Sequence, residues 1–334
     1  MEKVKVAIIG LGGVAQLVHL PNLAKIKYAE IISVSDIKAS RLNAVADKIK
    51  VKERYKDYKE LLDKSDVDAV IIATPTSSHK QIAIDSLNAK KDVLVEKPIS
   101  INYSEAKAMV DAAKKNKKKL MVGMNLRFRP DMMLLRSMID SGEIGELFYS
   151  KALWIRRQSS TEKWFTKREE AGGGVILDLG VSLLDLSLWL LDNPKVKSVQ
   201  THNYFHSTKN LEDTSISFLR CNDSKIINIE TSWSLPVAED LFRLRAFGSK
   251  GSINSTPFHV YKKVNNQFID LRPSIKETPS QLFKKSYLNE LKSFLGAVRE
   301  LNPVLSSGEA AAERIKIIEA MYSSAKKSKE ININ

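Results

Sequence analysis

The sequence predicts an α/β domain built on a parallel sheet, followed by an α+β domain with a largely antiparallel sheet. In the first 122 residues, apolar strand-like runs alternate with amphipathic helical patterns, as a helix-covered parallel sheet requires. Short strand-like runs dominate residues 196–271, which is typical of an α+β domain. Because a chain of 334 residues exceeds the usual size of one core, we expect two domains, residues 1–122 and 123–334.

The elements of the first domain follow in order from the spacing of its apolar residues. The predicted strands are Val4–Ile9, Ile31–Ser35, Ala69–Ala73, Val93–Val95 and Leu120–Val122. The predicted helices between them are Ala39–Lys50, Ser78–Ala89 and Tyr103–Asn116. Pro21 should interrupt the first helix near His19, because proline cannot continue a helical hydrogen-bond ladder.

The second half opens with a helix and a strand, Met132–Ser141 and Leu147–Ile155, and a strongly apolar helix follows at Val175–Leu191. The later predicted strands are Thr214–Leu219, Lys225–Ser234, Phe242–Phe247 and Phe258–Lys262, and the closing helices are Gln281–Glu300 and Glu309–Lys326. Alternation of apolar and polar residues over 226–233 indicates that one sheet face packs on helices. The other face is expected to meet a second subunit or to be solvated.

Composition narrows the class of protein. The net charge of +14 comes from scattered lysines, which favours a lysine-rich surface over a nucleic-acid site. A membrane span is not expected, because no run of about 18 uncharged apolar residues occurs. The chain opens directly on a strand pattern and contains a single cysteine, Cys221. We therefore expect a reducing cytoplasmic location, no disulfide and no metal site.

A glycine-rich segment, GLGGVA at residues 10–15, directly follows the first predicted strand and opens a helix. In this pattern the first glycine makes a tight turn, the second admits a pyrophosphate, and a small final residue lets helix and strand approach. Phosphates would then meet N–H groups at a helix N-terminus. The segment predicts a dinucleotide site in a Rossmann-type domain, with contacts from Gly10, Gly12, Gly13, Val14 and Ala15.

Asp36 ends the second predicted strand, 21 residues beyond Ala15, where an acid can accept hydrogen bonds from the adenosine ribose hydroxyls. A carboxylate at this place repels a 2′-phosphate, so we expect NAD rather than NADP. Lys38 and Arg41 lie close enough in sequence to keep NADP as the less favoured alternative. A second alternative is that Asp36 only caps the helix that begins near Ala39.

Two further strand ends supply the rest of the predicted cofactor cleft, since ligands of open α/β sheets bind beyond the carboxyl ends of the strands. The expected contacts are Thr74, Pro75, His79, Glu96 and Lys97. A structural role for His79 stays equally open, and the serines before it equally suit a helix N-cap.

Together with GLGGVA and Asp36, the segments ATPTSSH (73–79) and EKP (96–98) resemble the Gfo/Idh/MocA family, named for glucose–fructose oxidoreductase, inositol dehydrogenase and a rhizopine-catabolism protein. The resemblance continues through GMNLRFRP (123–130), GGGVILDLG (172–180) and the closing block at 302–325. It implies a carbohydrate-metabolising oxidoreductase that exchanges a hydride between a nicotinamide and a sugar, cyclitol or nucleotide sugar. It also implies that Lys97 lies beside the reacting carbon and that the chain forms a homodimer or homotetramer through its second sheet.

The sequence departs from the family at one expected catalytic position. The family signature reads Asp-x-x-x-His, and here Asp178 matches while Ser182 stands in place of the histidine. A serine hydroxyl is no general base near neutral pH without a partner. Lys97 tuned by Asp178 could therefore handle the proton with Ser182 as a relay, or another Tyr or His could take the role.

Two other functions stay open because of this departure. The chain could be a non-catalytic NAD-binding sensor or regulator. It could also be a glycosidase or isomerase that retains NAD and returns the hydride to its substrate.

The predicted substrate contacts all lie in the second predicted domain: Asn125, Arg127, Arg156, Trp164, Asp178 and Ser182. The two arginines could clamp a carboxylate or phosphate, or could instead pair with structural carboxylates. Trp164 could stack on a sugar face or fill the interior of its loop.

Overall fold

The structure is a computed structural model that describes residues 3–157, 163–265, 267–271 and 276–333. The chain forms two compact units. The first contains residues 1–128 and 283–313, and the second contains residues 129–282 and 314–334.

The first unit is built on a six-stranded sheet in which every neighbouring pair of strands is parallel. Its strands are β1 (Val4–Ile9), β2 (Ala29–Ser35), β3 (Glu53–Tyr55), β4 (Ala69–Ile72), β5 (Asp92–Glu96) and β6 (Leu120–Gly123). Their order, β3-β2-β1-β4-β5-β6, is that of a doubly wound dinucleotide-binding sheet. This confirms the predicted Rossmann-type α/β class of the amino-terminal part.

The helices that alternate with these strands are α1 (Leu20–Leu23), α2 (Ala39–Ile49), α3 (Tyr58–Lys64), α4 (His79–Asn88) and α5 (Tyr103–Asn116). A π-helical segment, Ala15–His19, precedes α1, and Pro21 lies in the first turn of α1. The interruption expected near His19 is therefore a change from π to α geometry. The three-residue strand β3 and helix α3 were not predicted, because so short a strand gives little alternation to read.

Residues 283–313 belong to the first unit, so its bounds differ from the predicted division at residue 122. Leu291, Phe294 and Leu295 are fully buried in the core that contains β1 and β2. Val122 N–H donates to Ser306 O at 2.8 Å. These residues return to the first unit because burying their apolar side chains completes its core. The assignment of cofactor and substrate roles to the two parts of the chain stays a prediction.

The second unit is built on a nine-stranded sheet of order β14-β13-β12-β11-β7-β10-β9-β8-β15. Its strands are β7 (Leu147–Ile155), β8 (Val196–Tyr204), β9 (Thr214–Cys221), β10 (Ile226–Ser232), β11 (Leu241–Gly248), β12 (Gly251–Ser255), β13 (Phe258–Val264), β14 (Gln267–Leu271) and β15 (Ile331–Asn332). β10 and β7 are parallel, and the other described pairs are antiparallel. The predicted, largely antiparallel sheet is confirmed.

The later helices are α6 (Pro130–Asp140), α7 (Arg168–Ala171), α8 (Val181–Leu190), α9 (Pro279–Val298) and α10 (Gly308–Lys327). The apolar helix predicted from Val175 begins instead as a π-helical segment, Ile176–Gly180, that continues into α8. By length and composition, one described stretch, Arg168–Leu190, would suffice to cross a membrane. The most apolar 18 residues of this stretch are 89% buried within the fold, as expected of a core helix.

Candidate functional site

The glycine-rich turn after β1 has the backbone geometry that its first glycine predicts. Gly10 has a φ of +90°, and its N–H donates to Ser35 O at 2.8 Å. A Cβ built on Gly10 would lie 2.6 Å from Ala73 O. Both the positive φ and this close approach require glycine.

The next part of the turn has open space beside its two glycines. Among the described residues, no atom beyond the immediate chain lies within 4 Å of a Cβ built on Gly12 or Gly13. Val14 is 41% exposed, whereas Ala15 is fully buried where the helix meets the sheet. The two glycines therefore fit a pyrophosphate approaching the backbone at the helix start, and Ala15 fits close helix–strand packing.

Asp36 links the glycine turn to α2 through hydrogen bonds to its carboxylate. Its carboxylate accepts hydrogen bonds from Leu11 N–H (2.8 Å) and Lys38 N–H (2.8 Å). Arg41 donates to both carboxylate oxygens, through Nε at 2.7 Å and Nη2 at 2.8 Å. The N-cap of α2 is Lys38, and no side chain caps that helix. Asp36 is thus a positioned acid beside the glycine turn rather than a helix cap.

The loop after β4 is joined to the loop after β5 by a buried histidine. His79 has its Nδ1 2.9 Å from Pro98 O and its Nε2 2.9 Å from Thr74 O. Burial lowers the pKa of His79 despite these contacts, so the neutral imidazole donates its single N–H to one carbonyl at a time. Thr74 and Pro75 are half-buried. The predicted cofactor contacts of all three residues stay predictions.

A second buried histidine holds the residue before Lys97. His19 Nε2 lies 2.7 Å from Glu96 Oε1, and Glu96 Oε2 accepts from Lys97 N–H at 3.2 Å. Burial alone would raise the pKa of Glu96, but the hydrogen bond from His19 and the charges of His19 and Lys97 lower it. With His79 on Pro98 O, the residues on both sides of Lys97 are anchored at the carboxyl edge of the parallel sheet.

Glu290 of α9 is a second buried carboxyl group near Glu96. It is 0% exposed, and neither of its oxygens has a hydrogen-bond partner among the described residues. Burial, and then the negative charge of Glu96, raise the pKa of Glu290 well above its ordinary value. The pKa values of the two carboxyl groups thus shift in opposite directions, as expected when a second negative charge beside a buried carboxylate is unfavourable.

Two predicted substrate contacts, Asn125 and Arg127, lie in the first unit and are only 5% exposed. Asn125 Nδ2 donates to Ser286 Oγ at 3.0 Å, and Arg127 Nη1 donates to Leu305 O at 2.7 Å. The bond described for Arg127 is thus to a backbone carbonyl, and its choice between substrate and structural carboxylates stays open. A substrate contact of either residue stays a prediction.

In the second unit, Asp178 is half-buried within the π-helical segment, and Ser182 is 4% exposed in the first turn of α8. Four residues separate Asp178 from Ser182, which would place them on one face of an α-helix; because π-helical bonds reach one residue further, that spacing does not by itself align this pair. Asp185, one turn further, pairs with Arg314 Nε at 3.1 Å. The catalytic roles of Asp178 and Ser182 stay predictions.

The remaining predicted substrate contacts are Arg156, directly after β7, and Trp164, in a short 3-10 helix at Lys163–Thr166. Arg156 is 3.8 Å from the carboxylate of Asp240, an ion pair with a partly exposed side chain. Trp164 packs edge-on against Phe165, at 5.5 Å between ring centroids. Phe165 in turn packs on a buried cluster that includes Trp233. The described contacts of Trp164 thus match the loop-filling alternative, and its stacking on a sugar stays a prediction.

Sequence reasoning missed three ionisable residues that influence these segments. They are Glu290, described above, and the pair Glu212 and Tyr322, which hold the backbone before Asp178. The available signal for Glu212 was an acidic pair, Glu212 and Asp213, directly before β9. Charged residues are rarely buried unless they have partners.

Two family models match most of the chain. Residues 4–124 match the oxidoreductase family with an NAD-binding Rossmann fold, and residues 132–254 match the GFO/IDH/MocA C-terminal domain. Because NAD is the cofactor of this matched fold, the predicted preference for NAD is confirmed. The family inferred from the motifs is confirmed as well.

Individual relatives cover nearly the same length. D-glucoside 3-dehydrogenase of Escherichia coli is 26% identical over 98% of this chain and 97% of its own. The NAD(+)-dependent scyllo-inositol 2-dehydrogenase of Bacillus subtilis is 28% identical over 89% and 87%. A levoglucosan dehydrogenase solved with NADH shares the fold, with a TM-score of 0.90, 20% identity and complete coverage of both chains. The chain belongs to the Gfo/Idh/MocA family of NAD-dependent oxidoreductases.

Proposed function

We propose that this oxidoreductase transfers a hydride between NAD and a hydroxyl or keto carbon of a sugar, cyclitol or nucleotide sugar. The observation that best supports a catalytic role is the anchoring of Lys97, whose neighbours on both sides bond to buried histidines. The names of the relatives support the substrate class, since they act on a glucoside and a cyclitol.

Bound NAD would supply the hydride acceptor or donor at the carboxyl edge of the sheet. The ammonium of Lys97 can donate to the substrate oxygen and stabilise the alkoxide charge that develops in the transition state. After releasing its own proton, the Lys97 amine can accept the hydroxyl proton. We assign Asp178 to orienting a substrate hydroxyl and Ser182 to relaying a proton by hydrogen bonding.

Ser182 is the feature that favours a second candidate function, an NAD-binding sensor that does not turn over. A nicotinamide-retaining glycosidase or isomerase is distinguished from the dehydrogenase by its product. It would convert substrate over many turnovers with no net change in nicotinamide redox state.

A single-turnover absorbance assay tests the proposed function. Protein and NAD⁺ are mixed in excess over each member of a panel of sugars, cyclitols and UDP-sugars. We expect reduced nicotinamide to appear with one member, and we expect Ser182→Ala to slow its appearance while Ser182→His maintains it. Silence across the panel in a chain that binds NAD would contradict the dehydrogenase and favour the sensor.

We propose that the chain forms a homodimer or homotetramer through one face of the nine-stranded sheet. On β9, Ile216 and Phe218 are 40% and 41% exposed and alternate with buried residues. Strand register places Phe218 in one row with Asn228, Lys151 and Arg245. An apolar strip flanked by polar and charged groups suits a self-complementary interface.

Light scattering on wild type and Phe218→Asp tests this oligomer. We expect a multiple of the 37.5 kDa chain mass for wild type and a smaller mass for the variant. Phe205→Asp, which changes a 55% exposed aromatic beyond the end of β8, is the matched control and should not change the mass. A monomeric wild type would contradict the proposal.

A reducing cytoplasm is the compartment that we propose. Cys221 is free and buried, and burial raises the pKa of its thiol to about 11. Such a thiol stays protonated and unreactive near neutral pH. Recovery of the chain outside the cytoplasmic fraction of lysed cells would contradict this location.

A further inference from the structure

A buried carboxylate holds the backbone from which the helix bearing Asp178 begins. Glu212, which is 4% exposed, accepts hydrogen bonds at Oε1 from Gly174 N–H (2.9 Å) and Ile176 N–H (3.1 Å). Its own carbonyl oxygen accepts from Val175 N–H at 2.9 Å. Three consecutive N–H groups therefore bond to one residue from a distant part of the sequence.

Tyr322 of α10 completes this arrangement. Its hydroxyl donates to the same Oε1 of Glu212 at 2.7 Å. A Cβ built on Gly173 would lie 2.1 Å from Tyr322 Oη, and one built on Gly174 would lie 2.1 Å from Glu212 O. These two glycines are therefore required by the close approach of Glu212 and Tyr322.

The first N–H groups of a helix need acceptors, which a side chain at the N-cap usually supplies. The N-cap of this π-helical segment is Val175, which offers no such group. Glu212 takes the role from outside the helix, and its carboxylate also complements the positive end of the helix dipole. Burial raises the pKa of Glu212, although its hydrogen bonds oppose the rise.

We propose that Glu212 and Tyr322 are positioning residues for substrate recognition, an inference that rests on the proposed function. Asp178 lies two residues beyond the held backbone, and its N–H donates to Gly174 O at 3.1 Å. A shift of residues 174–176 would therefore displace Asp178 and, through α8, Ser182.

The test compares Glu212→Ala, Glu212→Gln and Tyr322→Phe by amide hydrogen exchange and by kinetics. We expect Glu212→Ala to speed exchange at Gly174 and Ile176 by at least about tenfold, because these two amides lose their side-chain acceptor. We expect kcat/KM to fall by about 10- to 100-fold, since a misplacement of about 1 Å can have this effect. The Kd for NAD should not change, because the glycine turn belongs to the other compact unit.

Glu212→Gln keeps an oxygen acceptor at the point where the three donors meet. Its amide exchange rates and its kcat/KM should therefore stay close to the wild-type values. Tyr322→Phe should give a partial loss, and Tyr204→Phe, which changes a 45% exposed tyrosine, should give none. Unchanged exchange in Glu212→Ala, or faster exchange with unchanged kcat/KM, would overturn the proposal. A wild type that reduces no nicotinamide would contradict the proposed function, while the exchange rates would still show whether Glu212 holds the segment.

Discussion

Lys97→Ala is expected to abolish nearly all oxidation of the substrate in a chain that still binds NAD. General acid–base catalysis by one positioned group contributes about 10²- to 10⁴-fold to a rate, and we expect kcat to fall within this range. The backbone around Lys97 should stay in place, because Glu96 and Pro98 are held by His19 and His79 independently of the lysine side chain. The measurement is kcat and KM for the substrate, with the Kd for NAD measured by calorimetry.

Lys97→Met separates the charge from the packing, since it keeps an unbranched side chain and removes the ammonium. It should match Lys97→Ala in activity. Lys115→Ala, which changes an exposed lysine of α5, is the control and should behave as wild type. A Lys97→Ala chain that retains turnover within about tenfold of wild type would exclude general acid–base catalysis of the usual size by this residue.

Two separate alanine variants in the glycine turn are expected to have different effects: Gly12→Ala should weaken NAD binding, whereas Gly10→Ala should lower the stability of the fold. Gly12→Ala should leave the melting temperature of the NAD-free chain unchanged, because a Cβ at this position meets no described neighbour. It should raise the Kd for NAD by at least about tenfold, or about 1.4 kcal/mol, because the methyl group occupies the approach to the pyrophosphate. Thermal unfolding and calorimetric titration measure the two quantities.

Gly10→Ala is the contrasting variant. Its φ of +90° and the 2.6 Å approach to Ala73 O should destabilise the fold by about 1–3 kcal/mol. Wild-type NAD affinity in Gly12→Ala would show that the pyrophosphate does not approach this glycine. A normal melting temperature in Gly10→Ala would contradict the geometry described for the turn.

Features encoded by local spacing were predictable from the sequence. The alternation of strands and helices predicted the parallel sheet, and the place of Asp36 after β2 marked the acid beside the glycine turn. The EKP segment marked Lys97 for the same reason, since it follows β5 directly. Motifs of this kind are short and continuous, so one stretch of sequence contains the whole signal.

Features that depend on residues far apart in sequence were not predictable. The 174–176 amides bond to Glu212, and Tyr322 joins them from the last long helix. The return of residues 283–313 to the first core has no local signature, because an amphipathic helix does not specify which core it covers. The π-helical segments were missed as well, since apolar periodicity does not distinguish them from α-helix over five residues.

The buried Glu290 couples folding of this chain to the uptake of a proton by one side chain. Between the ordinary pKa of a glutamate and its own raised pKa, Glu290 holds a proton in the folded chain that the unfolded chain releases. Stability contributed by this group is therefore present at low pH and is lost as the pH rises through that interval. The apparent heat of unfolding should then depend on the ionisation enthalpy of the buffer, and Glu290→Gln should change that dependence by at most one proton.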